Sequence, residues 1–219
     1  MTDKQEKQST RERILTAAGE LFATQGFAAT TIRDICEKAK ANVAAVNYHF
    51  RDKEGLYNEL IKAMERELRE TAVMSVADTP ALPPAERLYS YVYNLLFRRL
   101  DPDRPKWKII LFHNELEKPS SFALNMFREL VHKEQEILRA IIEDILGADS
   151  NEETVVLCSH SVFGQIFFFF HIYGPILHDI MKKLALKQTE EPLTRERIAR
   201  LARHITDFSL AAMARFCER

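Results

Sequence analysis

No proline occurs before Pro80 in this 219-residue chain, so its first third lacks the one residue that breaks a helix outright. Apolar residues there recur at i, i+3, i+4 and i+7, the spacing of one helix face. Ser9 and Glu12 are spaced as a capping box and predict the start of a first helix. That helix carries Ile14, Leu15, Ala18, Leu21 and Phe22, and Gly26 ends it. Thr31 and Asp34 form a second capping box, opening a short helix that buries Ile32, Ile35 and Cys36. Asn42 reads as the N-cap of a third helix, with Val46 turned inward and Phe50 as its closing anchor. Asp52 then caps a fourth helix holding Leu56, Tyr57, Leu60, Ile61, Met64 and Leu68.

The rest is helical too. Leu88, Val92, Leu95 and Leu96 line one face, and Trp107, Ile110 and Leu111 begin another helix after Pro105. Helical spacing continues over 122–146, 155–173 and 198–216, with a shorter piece around 176–184. Linkers are expected at 78–84, 101–105, 119–121, 147–151 and 187–192. Six glycines and eight prolines are too few for a turn-rich all-β fold. The expected class is all-α, with about nine or ten helices. Hydrophobic residues at 46% and charged residues at 29% match a folded, water-soluble protein.

The segment 155–173 is nearly long enough to cross a membrane, but Ser159, His160, Ser161, Gln165 and His171 interrupt it and Gly174-Pro175 stops it. It reads as a buried helix, and no membrane partner is expected. Residues 1–9 are polar, without the apolar core of a secretory signal. Cys36, Cys158 and Cys217 lie far apart, giving neither a disulfide framework nor a zinc motif, and a cytoplasmic location fits.

Two short helices joined by a tight link near 39–42 have the helix-turn-helix layout. A helix that reads DNA buries one side and presents the other to the major groove. With Val46 and Phe50 facing in, Val43, Ala44, Ala45, Asn47, Tyr48 and His49 are left for the DNA side and the ends. Asn42 opens the same helix and is counted with them. The alanines allow close approach and contact with thymine methyls, while Asn47 has the donor–acceptor pair that matches adenine. Tyr48, His49 and Lys53 are candidate phosphate contacts, as are the helix N-terminus at Thr31 and the Thr30 hydroxyl. The chain's formal charge is −1, and residues 1–53 hold 9 Lys+Arg against 7 Asp+Glu. So small a local excess implies a dimer that sums contacts over two half-sites of double-stranded DNA. The expected division is a DNA-binding domain at 1–53 and a helical regulatory domain at 54–219.

The stretch from Arg11 to Leu60, with the residues "RERILTAAGELFATQGFAATTIRDICEKAKANVAAVNYHFRDKEGLY", resembles the N-terminal domain of the tetracycline-repressor (TetR) family of bacterial regulators. The resemblance rests on Ile14-Leu15-x-Ala17-Ala18, Leu21-Phe22, Gly26-Phe27, Thr30-Thr31, Ile35, Tyr48-His49-Phe50 and Lys53-Glu54-x-Leu56. From about Tyr91 to Leu184 the chain is similar to a C-terminal domain of regulators that respond to toxic small molecules. The resemblance implies a repressor released from a pseudo-palindromic operator by a small hydrophobic effector. It implies a homodimer joined through its last long helices, with Phe163, Phe167, Phe170, Leu210 and Met213 at the interface. It also implies an effector pocket, for which Tyr93, Phe97, Trp107, His113, Met126, Phe127 and His171 are candidates. Two positions depart from the pattern. Lys40 stands where the family usually has glycine, which asks a non-glycine residue for the left-handed conformation. Asn47 stands where many members have tyrosine, so base preference does not carry over.

No glycine-rich nucleotide loop and no GxSxG occurs, and neither Ser159-His160-Ser161 nor His171 with His178 forms a catalytic or metal set. The acidic pairs Glu115/Glu117 and Glu190/Glu191, and the basic group Arg98, Arg99, Arg104, Lys106 and Lys108, read as solvated surface. No enzyme, no cofactor and no metal is therefore expected. The alternatives are a DNA-anchored architectural or activator protein without a releasing ligand, and, less well supported, a helical-bundle enzyme.

Overall fold

The computed structural model describes residues 3–73, 82–147, 150–173 and 193–217. All regular elements among them are helices: α1 (Asp3–Gln25), α2 (Ile32–Ala39), α3 (Val43–Phe50), α4 (Lys53–Val73), α5 (Pro84–Leu100), α6 (Lys106–Glu117), α7 (Ser121–Leu146), α8 (Glu152–Tyr173) and α9 (Arg195–Cys217). The all-α class is therefore observed, with nine helices among the described residues. The expected helix at 176–184, the linker at 187–192, Glu190/Glu191 and His178 lie outside them. α1 starts six residues before the Ser9 cap that the spacing suggested. Residues 3–8 contain no glycine or proline, so nothing halts the helix there.

The chain packs as two compact units, Met1–Glu67 with Pro105–Met126, and Leu68–Arg104 with Phe127–Arg219. The first takes in more than residues 1–53, because α6 packs on α1. A Cβ on Gly19 of α1 would lie 2.4 Å from the Trp107 ring of α6, so the absent side chain lets the indole lie against the helix. Asn114 Nδ2 donates to the Ala23 carbonyl at 3.1 Å. The core of this unit is built from Ile14, Ala18 and Phe22 of α1, Ile35 of α2, Val46 of α3, and Leu56 and Leu60 of α4.

In the second unit α5 packs on α8 and α9, and Leu88, Val92 and Leu95 of α5 are buried, as are Ile141 of α7, Ile166 of α8 and Ile205 of α9. Two of the expected solvated cations belong to this core. Arg98 and Arg99 are buried, and both bind the buried carboxylate of Glu134 on α7, at 2.9 and 3.1 Å. The Tyr91 hydroxyl donates to the Glu134 carbonyl, and burial pushes its ionisation far above the ordinary tyrosine value. Arg104 donates to the Arg98 carbonyl at 2.6 Å. Glu115, the other supposed surface group, is buried in the first unit, where it accepts the Tyr57 hydroxyl and, at 2.8 Å, both the Ser120 N–H and its hydroxyl.

α8 is long and apolar enough to span a membrane by length and composition. Its inward stripe is Val155, Cys158, Val162, Ile166 and Phe170, at spacings of three and four. Leu157, Gly164, Phe167 and Phe168 fall on the other side and are exposed, so α8 is not wholly buried within its own chain. On α9 the inward stripe is Ile198, Ala202, Ile205, Ser209 and Met213, leaving Phe208 and Phe216 exposed. Phe170 and Met213 were expected at a dimer interface; each instead completes the core of its own chain. Phe167 is exposed, and Phe163 and Leu210 are half-buried.

Candidate nucleic-acid interface

α2, α3 and α4 each begin on a side-chain cap that the sequence specifies. The Thr31 hydroxyl accepts the Asp34 N–H at 3.2 Å, and the Asp34 carboxylate accepts the Thr31 N–H at 3.1 Å, closing the capping box of α2. The Thr31 hydroxyl, 2.7 Å from the Asp34 carboxylate, and the Thr31 N–H together hold the Asp34 carboxyl below the usual carboxylate range. α2 ends at Lys40, whose φ of 50° and ψ of 48° are left-handed. Its N–H reaches the Glu37 carbonyl and the Ala41 N–H reaches that of Cys36, the bond pair of a Schellman ending. Arg13 of α1 adds a bond at 3.2 Å to the Ala39 carbonyl. Asn42 then caps α3 by accepting the Ala45 N–H at 2.7 Å.

The turn after α3 is tighter still. Arg51 has φ 74° and ψ −55°, and the Asp52 N–H bonds the Phe50 carbonyl two residues back, which makes a strained γ-turn. Asp52 caps α4 by accepting the Gly55 N–H at 2.7 Å. A Cβ on Gly55 would sit 2.0 Å from the Phe50 carbonyl oxygen, so only glycine lets α4 start this close to the end of α3.

These constraints set the rotation of α3. Val46 is fully buried and Phe50 nearly so, with the Arg11 guanidinium 5.3 Å from the Phe50 ring centre. Val43, Ala44, Asn47 and Tyr48 are exposed as a continuous outer face, Tyr48 at 74%. Ala45 and His49 are half-buried at its edges, and the His49 ring packs edge-on to Tyr48. Asn42 is exposed, but its carbonyl oxygen is held by the cap. Thr31 is exposed at the start of α2.

Two expected phosphate contacts do structural work instead. Thr30 is fully buried, and its hydroxyl donates to the Gly26 carbonyl at 2.8 Å, leaving no surface for DNA. Lys53 is half-buried; its ammonium donates to the Phe27 and Thr30 carbonyls at 3.0 Å each and lies 4.4 Å from the Phe27 ring centre. It ties the α1–α2 turn to α4. The exposed cations beside the reading helix are Arg33 on α2, Lys40 just before α3 and Arg51 just after it. Lys40 and Arg51 bracket α3 in the sequence, a pair of positive charges that is itself a signal for phosphate.

The candidate effector residues are divided between the two units, Trp107, His113 and Met126 in the first and Tyr93, Phe97, Phe127 and His171 in the second. Tyr93 and Phe97 continue a stacked row from Tyr89 along α5, covered by Arg203 over Tyr89 and Arg195 over Phe97. Trp107 lies on Gly19, and His113 is buried with its Nε2 3.2 Å from Glu117. Phe127 is buried; the His171 ring sits 4.0 Å from that of Phe167; the side chain of Met126 is outside the described residues. Among the described residues no three His, Cys, Asp or Glu side chains are grouped to hold a metal.

Comparison with known proteins agrees with this geometry. Residues 14–60 match the family model of bacterial regulatory proteins, tetR family. Residues 84–213, more than half the chain, match the C-terminal domain of the HTH-type transcriptional dual regulator CecR. The chain is similar to the probable HTH-type transcriptional regulator YttP of Bacillus subtilis (strain 168), with 26% identity over 138 residues, 63% of this chain and 65% of YttP. It is also similar to the HTH-type transcriptional regulator AcrR of Shigella flexneri, with 35% identity over 80 residues, 36% of this chain and 37% of AcrR. It thus spans less than two thirds of the length of these relatives. Among solved structures, a bacterial regulatory protein in the tetR family from Rhodococcus RHA1 aligns with a TM-score of 0.64 at 20% identity, over 92% of this chain and 95% of that one. AibR, solved in complex with isovaleryl coenzyme A and operator DNA, aligns with a TM-score of 0.60 at 18% identity, over 87% and 94%. At such identities the structural likeness establishes the fold.

Proposed function

The chain belongs to the tetR family of bacterial regulatory proteins, a family of transcriptional regulators and not of enzymes, and from that premise we propose that it is a sequence-specific repressor released from its operator by a small hydrophobic effector. The observation that carries this reading is the outer face of α3, where Val43, Ala44, Asn47 and Tyr48 stand exposed on a helix fixed in rotation by buried Val46 and Phe50. In it residues 1–53 carry the DNA-reading surface and residues 54–219 the regulatory part. Val43, Ala44 and Asn47 meet base edges, while Tyr48, His49 and the Thr31 end of α2 meet phosphate, helped by Arg33, Lys40 and Arg51. The protein acts in the cytoplasm, as fits a DNA-binding regulator.

Two substitutions separate reading from anchoring. Asn47→Ala relaxes base preference at one position per half-site, by about 1–3 kcal/mol for a bidentate contact. Tyr48→Ala weakens all duplexes by a similar factor. Fluorescence anisotropy on matched and scrambled duplexes checks both, and equal losses on the two duplexes for Asn47→Ala remove it from the reading set.

A homodimer is part of the proposal, and the exposed apolar side of α8 and α9 supports it. Leu157, Phe167 and Phe168 of α8 and Phe208 and Phe216 of α9 leave several large side chains in water on one chain. Gly164 lies on the same side of α8 with open space around its Cα, so a partner helix can come close. Arg203, Asp207 and Arg215 stand among the exposed residues of α9, which suits a protein partner better than lipid. Effector binding then favours a spacing of the two reading helices that no longer fits successive major grooves. Phe167→Asp or Phe208→Asp is expected to shift the population toward monomer in sedimentation velocity. An unchanged dimer with both substitutions would place the interface elsewhere.

A further inference from the structure

The N-terminal unit contains a cleft of about 800 Å³ formed by the end of α1, the first turns of α4, α6 and the turn into α7. That size lies within the usual range of small-molecule sites. The rings of Phe27 and Tyr57, 4.9 Å apart and edge to face, form part of its wall. The buried carboxylate of Glu115 faces the same space, anchored by Tyr57 and Ser120. Glu54 and Glu117 stand exposed at the rim, and Lys118 is the one cation on the lining. Three carboxylates outnumber Lys118 and the Lys53 ammonium that lies against the Phe27 ring, which makes this aromatic-walled cleft selective for charge as well as for apolar bulk.

We propose that this cleft is a binding site for a lipophilic organic cation, its aromatic or apolar body against Phe27 and Tyr57 and its charge held by Glu54, Glu115 and Glu117. The attraction is electrostatic at the rim and grows stronger inward, where water is excluded. Cation–π contact with the Tyr57 ring adds to it, the Phe27 ring already carrying the Lys53 ammonium. The cleft wall includes Phe27, whose carbonyl Lys53 holds, and Glu54, next to the Lys53 that opens α4. An occupant therefore touches the elements that fix α3. As an effector site this rests on the proposed repressor function, which capture of DNA by the same preparation without ligand reports separately.

The test uses tetraphenylphosphonium and tetraphenylborate, ions of the same shape and opposite charge, titrated calorimetrically into the full chain. The phosphonium is expected to bind at least tenfold more tightly than the borate. The double variant Glu54→Gln/Glu117→Gln, which changes only exposed side chains and should keep its circular dichroism spectrum, is expected to lose about tenfold in phosphonium affinity. Equal affinity for the two ions, no phosphonium binding, or an unchanged affinity in the folded double variant would each overturn the proposal. Failure of these arms while DNA is still captured counts against the cleft alone.

Discussion

Replacing Glu134 with alanine is expected to cost about 3–5 kcal/mol of stability, the range for removing one partner of a buried ion pair. The buried guanidiniums of Arg98 and Arg99 both bind the Glu134 carboxylate, at 2.9 and 3.1 Å. Burial already lowers the Arg98 pKa against the opposing pull of Glu134, so removing Glu134 leaves the desolvation cost without its compensation. Carbonyls meet part of the trio's excess positive charge. Arg98 reaches those of Asn94 and Leu68, and Arg99 that of Leu95, each at 3.4 Å, with both arginines in the last turn of α5 where the helix dipole is negative. Replacing all three charged residues with methionine should cost far less than removing Glu134 alone, because no charge is then stranded. Urea unfolding followed by circular dichroism measures both. A Glu134→Ala variant as stable as the triple replacement would show that the trio carries no uncompensated charge.

Gly55→Ala is expected to damage stability and DNA binding together. The new Cβ would fall 2.0 Å from the Phe50 carbonyl oxygen, a backbone atom that cannot swing aside as a side chain would. That carbonyl already closes the γ-turn at Arg51, so relief must come from moving α4 away from α3. Forced overpacking of this kind costs about 1–3 kcal/mol, against which alanine's better helix propensity returns about 1 kcal/mol. The loss of DNA affinity should exceed what the unfolded fraction explains, because the displaced α4 no longer holds Phe50 and with it the rotation of α3. Thermal melting and anisotropy at a temperature where the variant is folded separate the two effects. Full DNA affinity in the folded variant would show that the close approach of α4 does not set the reading helix.

Much of the first unit was legible because its signals are local. The Thr31/Asp34 box, the caps at Asn42 and Asp52, the stop at Gly26 and the left-handed Lys40 all act within four residues, and the structure shows each of them. Val46 and Phe50 followed from spacing alone. What could not be read was pairing across long separations. Arg98 and Arg99 look like surface cations until Glu134, some 35 residues on, is folded against them. Glu115 looks like solvated acid until Tyr57 arrives from 58 residues away. The phase of α8 was hidden for another reason. Four consecutive phenylalanines, Phe167 to Phe170, supply an apolar residue to every face, so only packing reveals that Phe170 is the inward one. Thr30 and Lys53 carry residue types that suit phosphate, and their backbone partners became visible only in the folded turn.

The central claim is that α3 reads a defined sequence from a two-fold protein. Affinity capture of fragmented genomic DNA from the source organism on the purified chain, at near-physiological salt and followed by sequencing, tests it most directly. A short two-fold symmetric motif enriched at one or a few promoters is the predicted result. Uniform capture without a motif, vanishing as salt is raised, would contradict it, since that is the signature of phosphate attraction without base reading.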